Sequence, residues 1–204
     1  MTRITDITVT KKGRYALFCE SGFLFSIDEV TKFDFGIEIG TLLDDRQLAR
    51  LQDASESRKA VAKGLLYLGM RPYAAGELRR KLLGSFDPDT VDYAVTYLAG
   101  IGYLDDGDFA AQYAEELLTV RRRSLREARE KMKLKGLDRE TIDAALAPWQ
   151  GCDEENAAYL AAGQYAGKDA RKVYAALARR GFSGDAIRAA IAAAGGAPEE
   201  DFYE

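Results

Sequence analysis

The chain reads as a mainly α protein, built of tandem three-helix repeats in an elongated array that follows a small N-terminal β segment. Three observations predict this. β-formers gather at the start, helix-formers dominate from Ser57 onward, and the helical part repeats itself at a period of about 45 to 51 residues, the range of stacked helical units. The expected divisions are a β-rich segment at 1–50, three-helix repeats at 57–104, 105–150 and 151–196, and an acidic tail at 197–204.

Within residues 4 to 39, Ile4, Ile7 and Val9, the apolar run Tyr15-Ala16-Leu17-Phe18 and the stretch Phe23-Leu24-Phe25 behind a Ser21-Gly22 turn signal predict a small meander or hairpin. After Asp44-Asp45 the pattern turns helical, with the boundary between residues 44 and 57. Three helix ends then align: Leu82-Leu83-Gly84-Ser85-Phe86, Met132 to Leu137, and Leu177 to Phe182. Gly136 and Gly181 follow the last two, where a left-handed residue relieves terminal carbonyls. Asp87, Asp138 and Ser183 fall at matching positions to cap the next helix, with Pro88 fitted to its first turn.

Apolar positions repeat as well. Leu78, Ala128 and Val173 lie one turn ahead of Leu82, Met132 and Leu177; Val91, Ile142 and Ile187 correspond, as do Ala94, Ala145 and Ala190. Each set marks a buried stripe. Ser124 and Glu127 form a capping-box pattern, and Asp169 occupies the place of Ser124 in the third repeat. Ala74 stands where a capping residue is wanted and Gly76 follows, so that helix start is expected to fray.

Composition narrows the function classes. The chain has no histidine, which removes the commonest general base and metal ligand and weighs against an enzyme. Cys19 and Cys152 lie far apart and fit neither a disulfide framework nor a zinc site; no cofactor is expected. The chain starts Met1-Thr2-Arg3 with no apolar leader and holds no run of about 18 apolar residues, so a cytoplasmic protein without a membrane segment is expected. Net charge is −4, yet residues 58 to 195 carry 22 basic and 19 acidic side chains.

Positive charge concentrates at Arg121, Arg122, Arg123, Arg126, Arg129, Lys131, Lys133, Lys135 and Arg139. On a helix Arg122, Arg126, Arg129 and Lys133 would share one face, a docking surface for acidic side chains or phosphates. A solvated face paired with its own glutamates is the alternative. Arg79, Arg80 and Lys81 in the first repeat, and Arg171, Lys172, Arg179 and Arg180 in the third, would extend the band. Tyr67, Tyr73, Tyr93, Tyr97, Tyr103 and Tyr113 are assigned to packing.

Three catalytic look-alikes fail on geometry. Gly163 to Asp169 is one residue short of a phosphate loop and lacks its Ser or Thr, which leaves a helix-to-helix turn. The carboxylates of Asp105-Asp106-Gly107-Asp108 are out of register for a calcium loop and are read as helix caps. Ser124 has no base beside it and is read as a cap.

The join between the first two repeats is the most specific segment. It runs Leu98, Gly102-Tyr103-Leu104-Asp105-Asp106, Phe109-Ala110, Tyr113, an Arg-rich turn and Lys135-Gly136-Leu137, while Arg71-Pro72 precedes Glu77-Leu78-Arg79-Arg80-Lys81-Leu82. In order and spacing this resembles the RecX family, regulators of the RecA recombinase, along the whole chain. The resemblance implies a non-catalytic, monomeric inhibitor that binds the RecA nucleoprotein filament and restrains its ATPase, growth and strand exchange. Single- or double-stranded DNA is a weaker secondary partner, because the chain is less basic than a nucleic-acid binder. The rival readings are a helical DNA-binding regulator acting without a recombinase and a helical protein adaptor.

Overall fold

The structure is a computed structural model and describes residues 1–195; the expected acidic tail lies outside the described residues. Among the described residues are five short strands and ten α-helices, which fall into two compact units.

The first unit comprises Met1–Tyr73 and Leu78–Leu104. Strands β2 (Asp6–Val9), β3 (Tyr15–Cys19) and β4 (Gly22–Ile27) form an antiparallel meander, with Asp6 opposite Phe18 and Tyr15 opposite Ile27. β1 (Thr2–Arg3) pairs antiparallel with β5 (Leu42–Leu43). Alternation along β3 turns Leu17 inward, where it packs with Ile4, Ile27, Ile37 and Leu51. The strand expectation over 4 to 39 needs one correction: Glu29–Asp34 is helix α1. Asp28 makes the difference, because its carboxylate accepts both the Thr31 amide (2.9 Å) and the Thr31 hydroxyl (2.7 Å).

Helix α2 runs from Asp45 to Leu68, well ahead of the residue 57 expected to open the first repeat, behind a reciprocal Asp44/Gln47 capping box. Leu51 belongs to the core beneath the meander, while Gly64 meets the other helices: a Cβ there would lie 2.6 Å from Leu98 Cδ1. Leu98 belongs to α4 (Pro88–Gly100), capped by Asp87 as expected. Leu78 and Leu82, from α3 (Ala75–Leu83), are fully buried with it.

The second unit comprises Ala74–Glu77 and the chain from Asp105 onward. Its helices are α5 (Asp106–Glu115), α6 (Leu125–Lys135), α7 (Arg139–Leu146), α8 (Cys152–Ala162), α9 (Ala170–Arg179) and α10 (Gly184–Ala193). A π-helical turn at Glu116–Val120 extends α5. One core gathers Leu117, Met132, Ile142 and Leu146; another gathers Leu160, Leu177, Phe182 and Ile187. The predicted caps Asp138, Asp169 and Ser183 all accept first-turn amides, and Gly136 (φ +90°) and Gly181 (φ +84°) are left-handed.

The cap that the sequence lacks at Ala74 is supplied by another helix. The Ala75 amide, which lacks a local cap, donates to the Asp106 carboxylate at 2.7 Å, so Asp106 caps α3 while Asp105 caps its own helix. Gly76 and Gly136 approach so closely that a Cβ on either would sit 2.9 Å from the other's Cα. Lys135 and Glu77 form an ion pair of 2.9 Å beside them.

The tyrosines divide. Tyr73 is buried and Tyr67 and Tyr113 are half-buried, whereas Tyr93, Tyr97 and Tyr103 are about half exposed, contrary to their assignment to packing. Both cysteines are free; burial, with the charges of Asp153 and Glu155, pushes the Cys152 thiol up to about 11. No helix among the described residues is long and apolar enough to cross a membrane.

Candidate partner-binding surface

The chain's arginine triplet sits on a turn. In the π-helical turn the Arg121 amide donates to Glu116 O five residues back, and the Arg123 amide donates to Leu117 O. Arg122 takes φ +47°, a left-handed conformation that costs a non-glycine residue about 1 kcal/mol. α6 starts only at Leu125, behind the Ser124 cap. Arg122 is therefore not on the α6 face, and the four-residue stripe expected of Arg122, Arg126, Arg129 and Lys133 reduces to its last three members. Its cause is the widened turn, which spacing alone does not reveal.

Arg122 is held in place from three sides. Its guanidinium donates to Asn156 Oδ1 (3.1 Å), pairs with Glu155 (3.4 Å) and lies 4.6 Å from the Tyr159 ring centroid. Asn156, 2% exposed, donates from Nδ2 to Leu118 O (2.9 Å) and Arg123 O (3.2 Å), so one amide satisfies carbonyls the turn leaves open. Arg180 donates to Arg122 O at 3.0 Å, to Arg121 O at 3.5 Å and to Gln164 Oε1 at 3.3 Å. Ser124 is a cap and also a donor, its hydroxyl meeting Arg180 O at 2.6 Å. Asp153 accepts the Leu125 amide at 2.8 Å; burial holds its carboxyl above the ordinary value of 3.8, against the pull of that hydrogen bond.

The α6 face behaves differently. Arg129 pairs with Asp143 and Lys133 with Glu130, and Glu127 takes both Arg123 (3.0 Å) and Lys131 (3.7 Å). Glu127 therefore does not reach back to complete the expected capping box, because two cations hold it. The hydrogen bond from Arg129, and then the charges of Arg129 and Arg139, hold the Asp143 carboxyl below its usual range. Only Arg126 of this face is exposed with no ion pair among the described residues.

The remaining predicted cations scatter. Arg79 forms a two-pronged pair with Asp92 (2.6 and 3.1 Å), and Lys81 lies 4.9 Å from the Tyr67 ring centroid. Arg80 and Arg171 are exposed and engaged in interactions of their own. Lys172 and Arg179 are exposed with no ion pair among the described residues, and Arg121 pairs with Glu116 at 2.6 Å. Within the second unit, then, the fold brings Arg121, Arg122, Arg123 and Arg180 together. Sequence reasoning missed Asn156, Asp153 and Tyr159. Asn156 carried a signal, since it stands next to Ala157 at the margin of the Ala157, Leu160, Ala161 stripe, where a polar side chain requires a partner.

Comparison with known proteins converges on one group. Residues 105–146, which hold α5, the π-helical turn, α6 and α7, match the model described as the second three-helix domain of RecX. Over 149 residues the chain is 29% identical to the regulatory protein RecX of Lacticaseibacillus paracasei, covering 72% of this chain and 62% of that one. Over 199 residues it is 29% identical to the RecX of Lactobacillus delbrueckii subsp. bulgaricus, covering 93% and 73%. The matched segment thus spans under two thirds of the Lacticaseibacillus paracasei relative. A crystal structure of a regulatory protein RecX superposes with a TM-score of 0.69 at 26% identity, covering 91% of this chain and 97% of the other. The RecX of Lactobacillus salivarius, at 21% identity and a TM-score of 0.60, shares the fold.

Proposed function

We propose, from the premise that the chain belongs to the RecX family of regulatory proteins, that it binds the RecA nucleoprotein filament in the cytoplasm and restrains its ATPase, growth and strand exchange. It does so as a monomer, by contact and without chemistry of its own, and direct affinity for single- or double-stranded DNA is weak. The observation that carries this reading is the cationic surface of the second unit. Arg126, Lys172 and Arg179 stay exposed without ion pairs among the described residues, and the same unit gathers Arg121, Arg122, Arg123 and Arg180 at one turn. Cations left unneutralised cost little in water and become favourable when an anionic partner arrives. Repeated weak contacts along a filament would then add through effective concentration.

The test is a titration of the protein into RecA turning over ATP on single-stranded DNA, with affinity for the bare DNA measured across salt. Inhibition at amounts well below RecA, with weak bare-DNA binding, supports the proposal. An undiminished ATPase at equimolar protein sinks it. Tight binding to bare DNA with a steep salt slope favours the DNA-binding regulator instead. Replacing Arg126, Lys172 and Arg179 by Ala should preserve helicity and weaken inhibition.

A further inference from the structure

A concave groove of about 630 Å³ opens beside the arginine turn, lined in part by Val120, Arg121, Arg122, Arg123, Tyr159 and Arg180 and by no Asp or Glu. Arg180 is the unusual member. Its hydrogen bonds go to an amide oxygen and two main-chain carbonyls, and among the described residues it has no carboxylate within ion-pair distance. The Nε atoms of Arg123 and Arg180 are sealed from solvent without a hydrogen-bond partner. At the rim, Val120 is 76% exposed, and Tyr159 stays 61% exposed although the Arg122 guanidinium lies over its ring.

We propose that this groove captures a carboxylate-bearing segment of a partner polypeptide in which an apolar or aromatic side chain neighbours the acidic one. The proposal rests on the partner-binding reading above and names the chemistry of what is bound. Guanidinium groups offer forked donors that match carboxylates in pairs, and here Arg122 is already oriented by Asn156 and Arg180 by Gln164 and the main chain, so little ordering remains to be done on binding. The exposed Val120 and Tyr159 supply an apolar contact beside the charge. A nucleic-acid backbone asks for something else, a track of free cations along its length. Such a track is absent among the described residues: Arg129, Lys131 and Lys133 on neighbouring α6, and the groove's own Arg121, Arg122 and Arg123, are each paired with a carboxylate of this chain, which leaves Arg180 as the one fork in the groove without a carboxylate partner.

The probe is a fluorescein-labelled peptide repeating Asp-Glu-Phe, followed by anisotropy against the full chain, with an Asn-Gln-Phe version and an oligothymidine competitor. The acidic peptide should bind at least about tenfold more tightly than its amide version, and the exposed changes Val120→Asp and Arg121→Ala should each weaken it severalfold with unchanged circular dichroism. Equal binding of the two peptides, or variants that bind as the parent does, overturns the proposal. Displacement by oligothymidine at lower concentration than by unlabelled peptide assigns the groove to nucleic acid and also overturns it. Tighter peptide binding by a chain ending at Gly195 would assign the groove to this chain's own acidic residues 196–204, with the same result. The two levels separate in the ATPase assay. Val120→Asp that loses peptide but still inhibits RecA removes the groove from the partner contact and leaves the regulatory reading standing. Peptide binding without any inhibition by the parent chain sinks the regulatory reading alone.

Discussion

The turn before α6 and the exposed face of α6 hold the same residue type within a few positions of each other and use it in opposite ways. On the turn, Arg122 bonds a buried amide and an aromatic face, and Arg180 bonds main-chain carbonyls, so these guanidinium groups are part of how the second unit holds together. On α6, Arg129 and Lys133 are matched at the surface by Asp143, which also takes Arg139, and by Glu130. Hydrogen bonds to buried main-chain groups cannot be replaced by water, whereas exposed ion pairs can. A count of arginines treats the two places as one basic stretch; energetically they are different objects.

The sharpest way to break that contrast is Asn156→Ala. Removing this amide leaves Leu118 O, Arg123 O and the Arg122 guanidinium without their partner, and a loss of about 2–3 kcal/mol is expected in urea unfolding. A loss under about 0.5 kcal/mol would mean that solvent replaces the amide and the joint is no more than surface. Arg180→Ala comes next, at about 1–2 kcal/mol, since it frees two carbonyls that lie nearer solvent. Arg129→Ala, on the α6 face, should cost less than about 1 kcal/mol and lose most of that effect in high salt.

Protonation offers a finer test with no change in sequence. Asp143 is held below 3.8 by its arginine neighbours, so its contribution is present above 3.8 and is lost as pH falls through its lowered value. Asp153 is held above 3.8 by burial, so protonating it favours the fold, and that advantage is lost as pH rises through its raised value. Carboxyl carbon shifts followed by NMR should therefore give Asp153 the higher midpoint of the two. The reverse order would show that the Leu125 amide outweighs burial at the joint.

Legibility follows from how local each cause is. Caps at Asp87, Asp138, Asp169 and Ser183, and left-handed ends at Gly136 and Gly181, are settled by a residue and its next few neighbours, and each stands as read. The buried stripes that repeat every 45 to 51 residues, about the length of one helical unit, are equally local in origin. Helix α1 escaped notice because six residues carry too little periodicity, and only the Asp28 cap betrays it. The Arg122 stripe failed because a π-helical turn shifts the register just before Ser124, and nothing in the spacing records a hydrogen bond to the fifth residue back.

By itself the sequence determined a mainly α chain of repeated three-helix units, where most of its helices begin and where three of them end, and that positive charge gathers between Arg121 and Arg139; these depend on side chains acting on their own backbone. The tertiary structure alone decided which of those charges remain available. Whether an arginine meets Asp143, Asn156 or open solvent depends on residues brought in from other helices, and so does the rescue of Ala75 by Asp106. Caps act over three residues, whereas charge is neutralised over whatever distance the fold closes.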